Sequence, residues 1–207
     1  MNINQKGFTN VILVIIIVVI LIGAVGYFIF VKKSEPIIQQ STTAQTTTSN
    51  SGKTYQNNQY GFEVKQPEGW TIDESGKLGT AVIFFNPVVD QSQSQTFQAN
   101  INILIRPLKN LGVKNIEEYV SLDKSMLLKY FPDVKFFPDE KISLSDGKEA
   151  RIISLSRMQN NMLIHDRHLI VINNDTAYVM ALTALDSKWD TYINLIDSVF
   201  SSFKFIQ

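Results

Sequence analysis

The stretch Glu149–Leu185, EARIISLSRMQNNMLIHDRHLIVINNDTAYVMALTAL, sets the topology of the chain. From Glu149 to Met158 apolar side chains recur at alternate positions, with Ile153 and Leu155 on one face, the period of a half-buried strand. Gln159-Asn160 turns this run into a second, Met162 to Ile172, and Asn173-Asn174-Asp175 turns the second into a third, Ala177 to Leu185. Asn and Asp are favoured in tight turns because they tolerate the left-handed backbone. Connections this short cannot carry a crossover, so the three runs are antiparallel neighbours in a meander.

On the amino-terminal side, Lys141 to Leu144 and the hairpin dipeptide Asp146-Gly147 add a further strand. Before it, Asn115 followed by Glu118 reads as a capping-box-like helix start. Ile116, Tyr119, Val120, Met126, Leu127 and Tyr130 then share a helical face, and the helix ends before Pro132. Ala81 to Phe85 and the alternating Ile101, Ile103 and Ile105 are strands, joined by a long polar connection over residues 86–99. Tyr60 to Gln66 alternates as a strand, and the turn Pro67-Glu68-Gly69 leads to a short strand with Trp70 and Ile72. On the carboxy-terminal side, Trp189, Tyr192, Ile193, Ile196, Phe200 and Phe203 line one face of a last helix, capped by Asp186 or Ser187, which closes the core across the sheet. The expected class is α+β: a central antiparallel sheet of six to eight strands with at least two helices packed on it.

Ahead of this domain, Phe8 to Val31 carries no charged side chain. A helix over Val11–Val31 would be roughly 31 Å long, close to a hydrocarbon core of about 30 Å. The expected organisation is a cytoplasmic start at residues 1–7, a transmembrane helix at 8–31, a disordered Ser/Thr/Gln-rich linker at 32–58 and an extracytoplasmic domain at 59–207. The linker composition has too little to bury for order. Gln5-Lys6-Gly7-Phe8-Thr9 resembles the start of a type IV prepilin, in which cleavage follows the glycine. That family has glutamate at the fifth residue after the cut, where this chain has Ile12, so a plain single-pass anchor is the preferred reading.

With no cysteine, the chain has no disulfide, thiolate metal site, cysteine nucleophile or lipid-modified cysteine anchor. From Lys53 onward 16 Lys and Arg face 18 Asp and Glu, scattered singly or in pairs, which gives a polyanion such as nucleic acid nothing to bind.

Two ends of the domain carry a resemblance. Tyr60-Gly61-Phe62-Glu63-Val64-Lys65-Gln66-Pro67-Glu68-Gly69-Trp70, with the meander and the closing Ile196-Asp197-Ser198-Val199-Phe200-Ser201-Ser202-Phe203-Lys204-Phe205, is similar to the PsbP-like family. The resemblance implies a central antiparallel sheet sandwiched by helices. It implies binding to other proteins more than any one reaction: members include extrinsic subunits of the photosynthetic oxygen-evolving complex, and proteins of the fold serve as periplasmic lipoproteins or bind a small GTPase.

Residues with chemical potential are sparse. His165 and His168, the only histidines, are three apart in a strand and so point to opposite faces, which argues against a shared metal. Ser121-Leu122-Asp123-Lys124 has the Ser-x-x-Lys spacing of serine acyl enzymes without its accompanying elements. Gly52-Lys53-Thr54 lacks the first glycine of a phosphate loop. Asp73-Glu74, Glu117-Glu118 and Asp139-Glu140 diverge as adjacent residues and read as solvated faces, while Trp70 and Trp189 read as core. The expected function is a membrane-anchored extracytoplasmic binding protein, not an enzyme, that meets an envelope protein through sheet edges or the 86–99 loop, with no cofactor, metal or identifiable small-molecule ligand. The alternatives are an envelope serine hydrolase using Ser121 and Lys124, and a pilin-like filament subunit.

Overall fold

The computed structural model describes residues 52–206 apart from Gln93 and Ser94. The expected cytoplasmic start, transmembrane helix, prepilin-like segment and linker as far as residue 51 lie outside the described residues. Among those described, no helix is long and apolar enough to cross a membrane.

In chain order the elements are β1 (Thr54–Asn57), β2 (Phe62–Lys65), β3 (Thr71–Asp73), β4 (Thr80–Phe85), β5 (Asp90–Ser92), β6 (Gln95–Phe97), β7 (Asn100–Pro107), α1 (Ile116–Tyr130), β8 (Lys135–Phe136), β9 (Glu140–Ser143), β10 (Glu149–Gln159), β11 (Met162–Asn173), β12 (Thr176–Leu185), α2 (Trp189–Ser202) and β13 (Lys204–Phe205). The main antiparallel sheet runs β3-β4-β7-β12-β11-β10-β8, and β9 also pairs with β10. The meander closes through two-residue turns, Asn160-Asn161 and Asn174-Asp175, all four with positive φ between 48° and 62°. Their twist matches that of the flanking strands, which fixes the register Gln159↔Met162 and Asn173↔Thr176.

Strand parity divides the sheet into two unlike faces. One presents Val82, Phe84, Ile101, Ile103, Met180, Leu182, Leu169 and Ile152 to α2, whose Tyr192, Ile196, Val199 and Phe200 are buried against them. At about 1.5–3 kcal/mol for each fully buried large apolar side chain, this face holds most of the core energy. The other presents Leu104, Val179, Ile170 and Ile153 to Tyr119 and Val120 of α1, and its next rows are polar. The start of α1 is as expected: the Asn115 side chain accepts a hydrogen bond from the Glu118 N–H at 2.9 Å, and Glu118 Oε2 accepts from the Lys114 N–H at 2.8 Å.

Three expectations need correction. The linker was expected to reach residue 58, but Thr54–Asn57 forms β1 against β2. Tyr55 causes this: its buried ring lies edge-on to Phe84 at 5.5 Å and its hydroxyl donates to Glu74 at 2.7 Å. The 86–99 connection is not structureless, since β5 and β6 pair within it. Neither Asp186 nor Ser187 caps α2; residues 186–188 form a 3-10 turn, Lys188 precedes the helix and no side-chain cap bond is made there.

Candidate functional site

The end of the sheet at the β10–β11 turn carries an unusual surface. Parity puts Met158, Leu163 and His165 on the α2 face, with Met158 opposite Leu163 and Ser156 opposite His165. α2 begins only at Trp189, so the last rows of that face extend past its cover. Met158 and Leu163 are 43% and 44% exposed, and Phe137, just after β8, is 43% exposed. The His165 ring lies parallel between Trp189, at 3.7 Å between centroids, and Phe137, at 5.0 Å. Its Nδ1 is 3.2 Å from Asp186 Oδ1, so the residue expected to cap the helix orients the imidazole instead. Burial lowers the His165 pKa below its ordinary value, against the pull of Asp186.

One turn further along α2, Tyr192 ties the 86–99 loop to the same end. Asn86 Nδ2 donates to the Tyr192 hydroxyl at 2.7 Å, and that hydroxyl donates to Asp90 Oδ2 at 2.9 Å. Gln98 Nε2 donates to the Asn86 carbonyl at 2.7 Å, and the Val88 N–H donates to Asn86 Oδ1 at 3.0 Å. Burial, reinforced by the bond to Asp90, pushes the Tyr192 hydroxyl up to about 12, so it stays a donor at any ordinary pH. The brace leaves Val88 and Val89 60% and 47% exposed on a fixed loop.

Beneath this surface, on the α1 face, lies a buried polar platform. Arg157 Nε donates to Asp166 Oδ2 at 2.7 Å, Nη2 reaches Asp166 Oδ1 at 3.4 Å and Nη1 bonds Gln159 Oε1, while the guanidinium stacks 4.5 Å from the Phe131 ring. Arg157 and Asp166 are 2% and 3% exposed, so each charge depends on the other. Deeper in, His168 Nδ1 sits 3.3 Å from Asp123 Oδ2, and Asn102 Nδ2 donates to Asn100 Oδ1 at 2.9 Å. Asp123 was missed in the sequence, although its spacing from Tyr119 and Leu127 puts it on the inward stripe of α1. There it helps burial push the Tyr119 hydroxyl up.

The sequence candidates disperse. His165 and His168 lie on opposite faces, as parity requires. Lys124 Nζ is held by both carboxylate oxygens of Asp139, at 2.7 and 2.6 Å, and Ser121 is exposed, so the Ser-x-x-Lys spacing assembles no nucleophile and base. The acidic pairs do diverge: Asp73 pairs with Lys77 while Glu74 accepts from Tyr55, Glu117 pairs with Arg151 while Glu118 serves the start of α1, and Asp139 pairs with Lys124 while Glu140 pairs with Arg167. Lys53 leads into β1, its carbonyl accepting from the Gln66 N–H at 2.7 Å. Trp70 is core, edge-on to Tyr192 at 6.2 Å; Trp189 is half-buried in the stack. The sheet edges are blunted: β8 has two residues, and Asp133 Oδ2 takes the Met158 N–H at 3.1 Å on the outer side of β10. Among the described residues no group of three or more Asp, Glu or His could hold a metal ion.

No curated protein matches the chain. The fold is similar to that of cyanobacterial PsbP from Synechocystis sp. PCC 6803, at 17% identity and a TM-score of 0.56, over 79% of this chain and 98% of that one. It is similar also to the Saccharomyces cerevisiae Ran-binding protein Mog1p, at 10% identity and a TM-score of 0.53, over 77% and 97%. A Pseudomonas aeruginosa protein of unknown function, PA94, matches at 14% identity and a TM-score of 0.50, over 73% and 94%. The family model of the PsbP-like proteins matches residues 11–205, nearly the whole chain, and on that match the chain belongs to the PsbP-like protein family.

Proposed function

We propose that the chain is a single-pass, membrane-anchored extracytoplasmic binding module that docks an envelope protein through its hairpin end and works by contact, not by bond-making. The observation that carries this reading is the exposure of Phe137, Met158 and Leu163, at 43–44%, beside the stacked His165 and Trp189, with Val88 and Val89, 60% and 47% exposed, on the braced loop at the same end of the sheet. The five side chains present on the order of 400 Å² of apolar surface at this end of the sheet, the scale of exposed apolar area that is often functional. A stable interface buries about 800 Å² on each partner, with an apolar centre and a polar rim, so a patch of this size supplies the centre. The supports bonded beneath it fix its shape, which lowers the entropy lost on docking. The uncharged Phe8–Val31 segment and the polar stretch after it support the anchor and tether, and a Ran-binding fold neighbour supports contact with protein.

The test is co-purification of the full-length chain from membranes. A protein retained by the wild type and by Leu128→Asp, an exposed position on α1, should be lost with Met158→Asp/Leu163→Asp. Equal retention by all three would refute docking at this end. Because the chain has no cysteine, Ser187→Cys gives a single thiol for topology: a membrane-impermeant maleimide should label it in intact cells. Labelling only after lysis would place the domain inside.

A further inference from the structure

At the opposite end of the sheet a cavity of about 610 Å³ opens between the β7–α1 connection and the β11–β12 turn. Its volume is that of a small-molecule site. Its walls are fixed: the buried Leu108 donates its N–H to the Asp175 carbonyl at 2.8 Å, Val113 N–H returns to the Leu108 carbonyl, and Thr176 lies in register with Pro107. Leu108 and Val113 give the lining an apolar part, and Lys109, Lys114, Asn174, Asp175 and Thr176 give it a polar one.

The ammonium groups of Lys109 and Lys114 make neither a hydrogen bond nor an ion pair among the described residues. Two unpaired ammonium groups beside a preformed concavity attract an anion, and the single carboxylate of Asp175 leaves the lining net positive. A bare anion would leave Asp175 unmatched. A ligand with a dianionic group for the lysines and a hydroxyl or amine for Asn174, Asp175 and Thr176 matches the polar side of the lining. We propose that this cavity binds a small phosphate ester bearing an amine or hydroxyl. The chemistry is common to a soluble phosphoester and a phospholipid headgroup. The second source draws on the proposed anchor, because the cavity shares its end of the sheet with the C-terminal half of α2, where Ser202 accepts from the Lys65 N–H beside the entry of the chain at β1.

The full-length chain in a phosphate-free sugar detergent, titrated with O-phosphoethanolamine, inorganic phosphate and ethanolamine, tests this by amide chemical shifts. The Val113 and Thr176 resonances should move with phosphoethanolamine and stay with ethanolamine. Lys109→Gln/Lys114→Gln should lose at least about tenfold in affinity, the scale of hydrogen bonds to charged groups. Asp175→Asn should weaken phosphoethanolamine while leaving inorganic phosphate unchanged. Tighter binding of dihexanoyl phosphatidylethanolamine than of phosphoethanolamine identifies a lipid source; equal or weaker binding identifies a soluble ester. No movement with any phosphate probe, or unchanged affinity in the double lysine variant with the Tyr178 resonance intact, overturns the proposal. Met158→Asp/Leu163→Asp should leave these titrations untouched, so this site and the docking surface fail separately.

Discussion

The two ends of the central sheet are built from the same strands and finished in opposite ways. At the β10–β11 end the surface is apolar and braced, with an imidazole stacked between two aromatic rings and a loop held by Tyr192. At the β11–β12 end it is hollow and cationic, with two unpaired lysines beside a cavity. The difference comes from cover: α2 starts at Trp189 and leaves the last rows of β10 and β11 bare, while the chain after β7 and the turn at Asn174-Asp175 leave a gap between them. A sheet whose alternation is uniform thus acquires two differently finished ends from where its helices and loops stop.

The comparison breaks most severely if the platform under the apolar end is removed. Asp166→Ala leaves the buried Arg157 guanidinium uncompensated, and urea unfolding should show a loss of about 3–5 kcal/mol. Replacing the pair together, as Arg157→Met/Asp166→Leu, should cost far less. Tyr192→Phe removes the hydroxyl shared by Asn86 and Asp90 and should cost about 1–3 kcal/mol, with faster amide exchange confined to residues 86–92.

A smaller effect concerns pH. The folded His165 titrates below its ordinary value of about 6.5, so the unfolded chain binds the extra proton first. The contribution of His165 is fully present above about pH 6.5 and is lost as pH falls below it, through the folded pKa. Asp186, Asp166 and Arg167 are the charged groups that act on this ring. His165→Gln should flatten the slope of stability against pH between 5 and 7; an unchanged slope would show that the imidazole is not held neutral by the stack. Smallest of all should be the stability effect of Met158→Asp/Leu163→Asp, within about 0.5 kcal/mol per exposed substitution. A large loss there would mean that the patch is part of the core.

The meander was legible because period-two alternation and the Asn and Asp turns point to the same topology, with only the turn positions displaced by about one residue. The opposed faces of His165 and His168 followed from parity alone. The first strand was hidden because one aromatic, Tyr55, anchors an otherwise polar segment, and composition averages over it. The patch was not legible, since the exposure of Phe137, Met158 and Leu163 depends on where a helix beginning 26 residues after Leu163 is laid down. The cavity was invisible for a similar reason: Lys109 and Lys114 meet Asp175 only through the pairing of β7 with β12.

The most direct measurement places a photo-crosslinking amino acid at Leu163, and in a matched chain at Leu128, in the full-length protein in native membranes. Both positions are about half exposed, at 44% and 50%, but only Leu163 belongs to the hairpin end. A discrete protein adduct from Leu163, absent from Leu128 and competed away by the unlabelled wild-type chain, is the predicted result. Equal adducts from both positions, or none from Leu163 while Leu128 yields one, would contradict docking at this end.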